Sequence, residues 1–272
     1  MHFLKMGNAV FSTQARHFLR LHATSLFVPE RNRGAHHIRC TACNALHLPH
    51  NPHSNISDDL GDHAFVCRGG GAQQDAVGGW VSKRHFNVLS ALFAAVKATK
   101  HRGNGAVVLS QEPHLLNADG VSPAAGVAGG NNDRADILVV DMDGKKTYLD
   151  LTISAPVTAG NIAGASIGTG YAADKAYQRK VADYSNRWVF DAGLGVSLRI
   201  LAMETGGRMH PEFILWLKAY LKAHCADGSH SYYWAYKNSV QRISIALRAS
   251  LALSFLSLGE KAKLYPSVLA VA

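Results

Sequence analysis

The sequence predicts an α/β protein: a mixed central sheet flanked by helices, with a small module before it and a helical tail behind. Two observations carry this expectation. From Trp80 to Leu258, stretches with apolar residues at helical spacing alternate with short β-branched runs, the pattern of a sheet covered by helices. Between Val28 and Gly79 that periodicity gives way to His, Cys, Gly, Pro and Asp, a composition that a compact core alone does not order. The 272 residues, 47% hydrophobic and 17% charged, are enough to bury a core and exclude a disordered or collagen-like chain. Four Cys in this length exclude a disulfide scaffold.

Residues 1–34 read as a helical linker, with Ala15, Phe18 and Leu19 on one face of a short helix over 12–22. Residues 35–79 form the irregular module. The main domain spans 80–258 and opens with a helix over 82–100, whose apolar face is Val88, Leu92, Phe93 and Val96. A strand over 106–109 leads into Gln111-Glu112-Pro113, and the Ala-, Gly- and Asn-rich run 117–132 reads as a loop. Strands at 135–140 and 147–153 are joined by Asp141-Met142-Asp143-Gly144, a hairpin turn. A Gly/Ala connection over 159–170 opens a helix over 171–186, followed by a strand at 196–203 and helices over 210–224 and 232–258. Residues 259–272 are a tail. No repeat recurs. The longest apolar run, Leu247 to Leu258, is broken by Arg248 and several Ser and is shorter than the ~20 residues of a membrane span. Met1 to Phe11 carries no readable secretory signal.

The net charge of +9 is uneven along the chain. Residues 1–100 hold 11 basic and 5 acidic side chains, 101–200 hold 9 and 10, and 201–272 hold 8 and 4. Basic flanks around a near-neutral middle suit a protein that attracts a polyanion at its periphery and keeps its carboxylates for another task. A generically basic protein has the same total, so charge alone does not choose.

Cys40-x2-Cys43 and His63-x3-Cys67 are two close pairs with 19 residues between them. Each short pair can span one edge of a tetrahedron, so three thiolates and one imidazole predict a closed, structural Zn²⁺ site, and metal binding would order a stretch that lacks a core. Unrelated buried thiols are the plainer alternative. His36, His37, His47, His50 and His53 compete with His63 as ligands. Cys225 stands apart on a helix and reads as a core residue.

If the hairpin turn is centred on Asp143, cross-strand partners add to 286, which sets Asp136 opposite Asp150 with Cβ atoms ~5 Å apart. Paired carboxylates among apolar neighbours repel each other, and they are tolerated where they share a proton or hold a hard cation such as Mg²⁺. Glu112, at a strand end, is a possible third oxygen ligand or an ordinary exposed acid. On the following helix Tyr177, Lys180 and Tyr184 share a face, with Lys175 and Arg179 beside them as candidate phosphate contacts. A lysine beside a metal-bound water and a phosphate can orient the nucleophile or stabilise negative charge; a solvated helix face is the ordinary alternative.

Taken in order, these pieces resemble a known family, the restriction-like endonuclease region at the C-terminus of early-branching, non-LTR retrotransposon polyproteins. The resemblance rests on Cys40-x2-Cys43, Gly61-Asp62-His63-Ala64 to Cys67, Gly69-Gly70, Arg84-His85, Glu112-Pro113, Arg134-Ala135-Asp136, Leu149-Asp150-Leu151-Thr152, Lys180 to Tyr184, Glu204-Thr205-Gly206-Gly207 and Gln241-Arg242-Ile243-Ser244, and covers residues 35–255. It implies a zinc-knuckle-like motif joined to a PD-(D/E)XK nuclease fold, with Zn²⁺ structural and Mg²⁺ or Mn²⁺ catalytic. The implied activity is nicking of target DNA, whose freed 3′ hydroxyl primes reverse transcription. The implied partners are DNA, with element RNA left open, and a reverse transcriptase domain normally on the same polyprotein; the implied location is nuclear. By position, Asp136 and Asp150 are the metal ligands, Lys180 the catalytic lysine moved onto a helix, Tyr184 its companion, Glu112 an auxiliary acid, and Arg84, His85, Lys175 and Arg179 the DNA contacts.

Thr152 stands where a typical nuclease of this fold has its lysine, a feature the family shares. The chain departs from the family at three points, the first a Cys43-to-His63 spacing that is long for the knuckle. Asp183 replaces the second helix lysine, and the basic-His-Asn motif reads Arg84-His85-Phe86-Asn87. A catalytically weakened or inactive zinc-containing nucleic-acid-binding remnant therefore remains the alternative to a nuclease. A nucleotide-binding reading of Gly168-Thr169-Gly170 is weaker, because no Lys-Ser/Thr follows and no acid is placed as the dinucleotide fingerprint requires.

Overall fold

A computed structural model describes residues 38–39, 46–47, 80–100, 108–116, 118–127, 133–156, 158–225 and 229–263. The expected N-terminal helix and Cys40, Cys43, His63 and Cys67 lie outside them. In the module two short strands, β1 (Ile38–Arg39) and β2 (Leu46–His47), pair antiparallel.

The main domain is mixed α/β. Helix α1 (Trp80–Lys100) precedes β3 (Val108–Gln111), β4 (Val121–Pro123), β5 (Ile137–Val140) and β6 (Lys146–Ser154). Then come α2 (Ala159–Ile167), α3 (Tyr171–Ser185), β7 (Trp188–Phe190), β8 (Val196–Glu204), α4 (Pro211–His224) and α5 (Ser229–Lys263). The central sheet has the order β3-β5-β6-β8; β3, β5 and β6 are antiparallel neighbours, and β8 joins β6 in parallel. A parallel pair needs a crossover, and α2, α3 and β7 supply it.

The alternation along β6 sorts its side chains between two layers. Leu149 and Leu151 join Ile137, Val139, Leu201 and Met203 under α1, α4 and α5. Tyr148 and Ile200 face the other way, with Tyr184 of α3 and Trp188 of β7. The hairpin register is the expected one, Ile137 opposite Leu149 and Val140 opposite Lys146, with Gly144 of the turn at φ 81°.

Three elements of the main domain, β4, β7 and α2, carried no readable period. The expected loop over 117–132 contains β4, which pairs with β7 in a separate two-stranded sheet. The Gly/Ala connection contains α2. Three-residue strands and a nine-residue helix of Ala, Gly, Asn, Ser and Ile are too short or too uniform to show a face. Helix α5 runs to Lys263, past the expected boundary at 258.

Candidate active site

Asp150 lies near the middle of β6, 4% exposed, on the face turned to α3. Two residues of that helix reach it. Lys180 Nζ lies 3.2 Å from Asp150 Oδ1 and 3.0 Å from Oδ2. The Tyr184 hydroxyl donates to Oδ1 at 3.0 Å and leans towards the Arg134 carbonyl oxygen at 3.4 Å. Lys180 and Tyr184 are four residues apart, so one turn of helix brings both to the same point. The ammonium also sits 5.7 Å from the Tyr184 ring centroid.

Asp136 occupies the bend just before β5, not the strand itself. Its N–H donates to the Leu149 carbonyl at 2.9 Å, and its Oδ2 accepts from the Leu151 N–H at 2.6 Å, so the carboxylate closes the end of the β5–β6 ladder. From the opposite layer, His85 of α1 brings Nε2 to 2.9 Å from the Leu151 carbonyl oxygen and 3.4 Å from Asp136 Oδ2. Both neighbours are acceptors, so Nε2 is the protonated ring nitrogen.

The electrostatics follow from burial and like charge. Burial raises the Asp150 carboxyl above the ordinary carboxylate range and the Asp136 charge raises it further, against the opposing pull of Lys180 and Tyr184. Burial and then the Asp150 charge hold the Tyr184 hydroxyl far above its usual value, so it remains a donor. Burial pulls His85 down, but the hydrogen bond and charge of Asp136, the Leu151 carbonyl and the Asp150 charge together raise it above 6.5.

The donor set suits a hard divalent cation. Asp150 Oδ2 is buried and accepts no hydrogen bond; Lys180 approaches it as a charge without hydrogen-bond alignment. Mg²⁺ is commonly held by one or two carboxylates, with waters and substrate oxygens completing its shell, and Asp136 and Asp150 are such a pair. Among the described residues, no three His, Cys, Asp or Glu side chains group around one point.

The remaining expected residues divide. Glu112 touches Asp136 only through the backbone, its N–H donating to the Asp136 carbonyl at 2.9 Å. Its exposed carboxylate meets Arg134 at 3.3 Å, and its φ of 48° is left-handed. Arg179 is exposed on α3. Lys175 is also exposed, but donates to the Gly160 carbonyl at 2.7 Å and lies over the Tyr171 ring. Arg84, expected as a DNA contact, is 2% exposed, with its pKa lowered to about 10 by burial. It precedes Val88 and Leu92 by one and two turns and falls on the same buried stripe of α1. Cys225 caps the C-terminus of α4, half-buried against the core.

Sequence reasoning assigned Glu204 no role, and it is central. Its buried Oε1 accepts the Ala172 N–H at 3.2 Å, capping α3 where Gly170, at φ 87°, offers no side chain of its own. A Cβ at Gly170 would come within 2.7 Å of Arg208 Nε. A carboxylate already sits at this helix N-terminus, which argues against the nucleotide-binding reading of Gly168 to Gly170. The signal was the Glu204-Thr205-Gly206-Gly207 run itself, an acid and two glycines at a strand end.

No family model matches the chain, and no curated protein or solved structure matches it. Among the described residues, no helix is long and apolar enough to cross a membrane.

Proposed function

We propose that this chain is a metal-dependent DNA endonuclease domain of the non-LTR retrotransposon kind, nicking target DNA to leave a 3′ hydroxyl that primes reverse transcription. The observation that supports it most is the convergence of Lys180 and Tyr184 from one helix onto Asp150 of a central strand, with Asp136 near enough for its charge to act on Asp150 and one buried Asp150 oxygen lacking a hydrogen bond. Asp136 and Asp150 would hold Mg²⁺ or Mn²⁺, which when bound supplies Lewis-acid activation of water and charge stabilisation at the phosphate.

The chain's own residues do the positioning. Lys180, 29% exposed and anchored on Asp150, offers its ammonium to a non-bridging phosphate oxygen or to the attacking water. Tyr184, held as a donor, fixes Asp150 Oδ1 and leaves the buried Oδ2 beside the Lys180 ammonium as the oxygen without a hydrogen bond. His85 and the Leu151 N–H fix Asp136 Oδ2. Arg179 and Lys175, on the exposed side of the same helix, are the candidates for backbone contacts to DNA, with element RNA a second polyanion they could accept. His85 acts through Asp136 in this reading, and Arg84 is a core residue. Zn²⁺ held by Cys40, Cys43, His63 and Cys67 completes the proposal as a structural site, and the place of action is the nucleus, beside a reverse transcriptase domain of the same polyprotein.

Nicking of supercoiled plasmid in Mg²⁺ tests this. Wild type converts plasmid to the open circle and Asp136→Ala does not; equal nicking by the two eliminates the mechanism. Salt-sensitive DNA binding that survives loss of both aspartates, with no cleavage under any metal, would replace it with the binding remnant.

A further inference from the structure

Next to the carboxylate site, between α3, β7 and the outer edge of β8, lies a cavity of about 350 Å³, a size found among small-molecule sites. Four aromatic rings line it: Tyr177, Tyr184, Trp188 and Phe190. Its rim carries one charge of each sign, Arg199 and Glu212, and among the described residues neither forms an ion pair or a side-chain hydrogen bond. Tyr177 is rigidly backed. The His210 ring stacks on it at 4.2 Å and 11°, and His210 is itself fixed by the Glu212 N–H on Nδ1 and by Asp174 Oδ1 at 3.4 Å from Nε2.

We infer that this cavity receives one unstacked base of the nucleic acid whose backbone lies at Lys180. The inference rests on the reading that this site takes a nucleic acid. An aromatic lining, with Tyr177 and Phe190 partly exposed in it, suits a base, since every base has a π-face to stack. A guanidinium and a carboxylate together match a base edge, which presents acceptors and donors side by side. An anion would be repelled by Glu212, and a purely apolar ligand would leave both charges unused. Position also fits. Tyr177 and Tyr184 flank Lys180 on α3 by roughly one helical turn each, about 5 Å, so a phosphate at Lys180 places its nucleoside at the cavity mouth. Tyr184 serves both halves, its hydroxyl on Asp150 and its ring in the cavity wall. The pocket thus ties the bond presented to the carboxylates to a particular base beside it.

Photo-crosslinking tests this without cleavage. The full chain is saturated with a mixed-sequence single-stranded oligonucleotide carrying 5-iododeoxyuridine, in EDTA, irradiated at long wavelength, and the crosslinked peptides are mapped. Crosslinks are expected on Tyr177, Tyr184, Trp188 or Phe190. Ser185→Trp, which fills the cavity from an exposed position, is expected to lower them about tenfold at equal DNA occupancy, with unchanged circular dichroism. Arg199→Ala, also at an exposed position, is expected to lower them less, and it provides a second folded variant. Crosslinks mapping elsewhere, absent at saturation, or undiminished in Ser185→Trp overturn the inference. Because no metal or hydrolysis enters, a failed nicking assay leaves this result standing, and a failed crosslink leaves the nicking result standing.

Discussion

Lys180 of α3 meets Asp150 of β6 at 3.0 Å, although the two are 30 residues apart in the chain. The strand position one residue beyond Leu151, from which a lysine could reach the same carboxylate, holds Thr152, 8% exposed. Helix α3 brings the cation in from above the sheet instead, and its Tyr184 hydroxyl donates to Oδ1 of the same carboxylate.

From that geometry Lys180→Ala is expected to lower plasmid nicking about 100-fold, the scale of removing one charge that stabilises a transition state. Tyr184→Phe should cost about tenfold, because it loosens Asp150 without removing the reacting groups. Lys180→Arg should recover part of the rate. Single-turnover nicking at saturating protein checks all three, and a Lys180→Ala rate equal to wild type would reduce the lysine to a counter-ion.

Asp150→Asn is expected to stabilise the fold while abolishing nicking. The folded carboxyl titrates above the unfolded one, so the fold disfavours its ionisation: stability is full below the ordinary carboxylate value of about 3.9 and falls as pH rises through the raised folded value. At pH 7 the amide removes that cost. A change of 1 kcal/mol moves Tm by about 2–4 °C in a domain of this size, which thermal melts resolve. Mg²⁺ should raise the wild-type Tm and leave Asp150→Asn unmoved, since only the ionised carboxylate gains from the cation.

Much of this site was legible because hairpin geometry is arithmetic. Once Asp141 to Gly144 is a turn, the register from Ile137 opposite Leu149 to Val140 opposite Lys146 follows, and helical spacing puts Lys180 beside Tyr184. What stayed hidden depends on contacts between layers. Nothing local shows that His85 of α1 crosses to Leu151 and Asp136, or that Glu204 caps a helix that begins 33 residues before it. Arg84 is a different case: the resemblance implies a DNA contact there, whereas its spacing to Val88 and Leu92 places it on the buried stripe of α1.

His85 gives the protein a second pH dependence. Its folded value lies above 6.5, so its contribution to stability is fully present below about 6.5 and is lost as pH rises through the raised value. His85→Gln keeps an N–H for Leu151 and Asp136 but does not titrate. The fall in Tm from pH 6 to 8 should therefore be shallower in the variant; an identical slope would assign the dependence to other groups.

Glu112 is the one non-glycine residue at positive φ among those described, and its only side-chain partner is the exposed Arg134, a pair worth little. Glu112→Gly should raise stability by about 1 kcal/mol by releasing the left-handed strain. Glu112→Gln keeps the strain and removes the charge. If Glu112 serves the reaction, both variants slow nicking and only the glycine variant melts higher; if it does not, both nick at the wild-type rate.

The cap at the start of α3 should control the site from a distance. Glu204 Oε1 satisfies the Ala172 N–H inside the protein, and the same helix carries Lys180 and Tyr184 about two and three turns further on. Glu204→Gln keeps an acceptor of the same shape and should melt within about 1 kcal/mol of wild type, losing mainly the favourable charge at the helix N-terminus. Glu204→Leu fills the space but leaves the N–H without a partner, at a cost of about 1–3 kcal/mol. The two variants separate capping from simple burial. If capping positions α3, nicking should fall with Tm in Glu204→Leu and hold in Glu204→Gln, and Asp150 should lose its Mg²⁺-dependent rise in Tm only in the former. Equal losses in both variants would show that the charge of Glu204, rather than its acceptor oxygen, is what the helix requires.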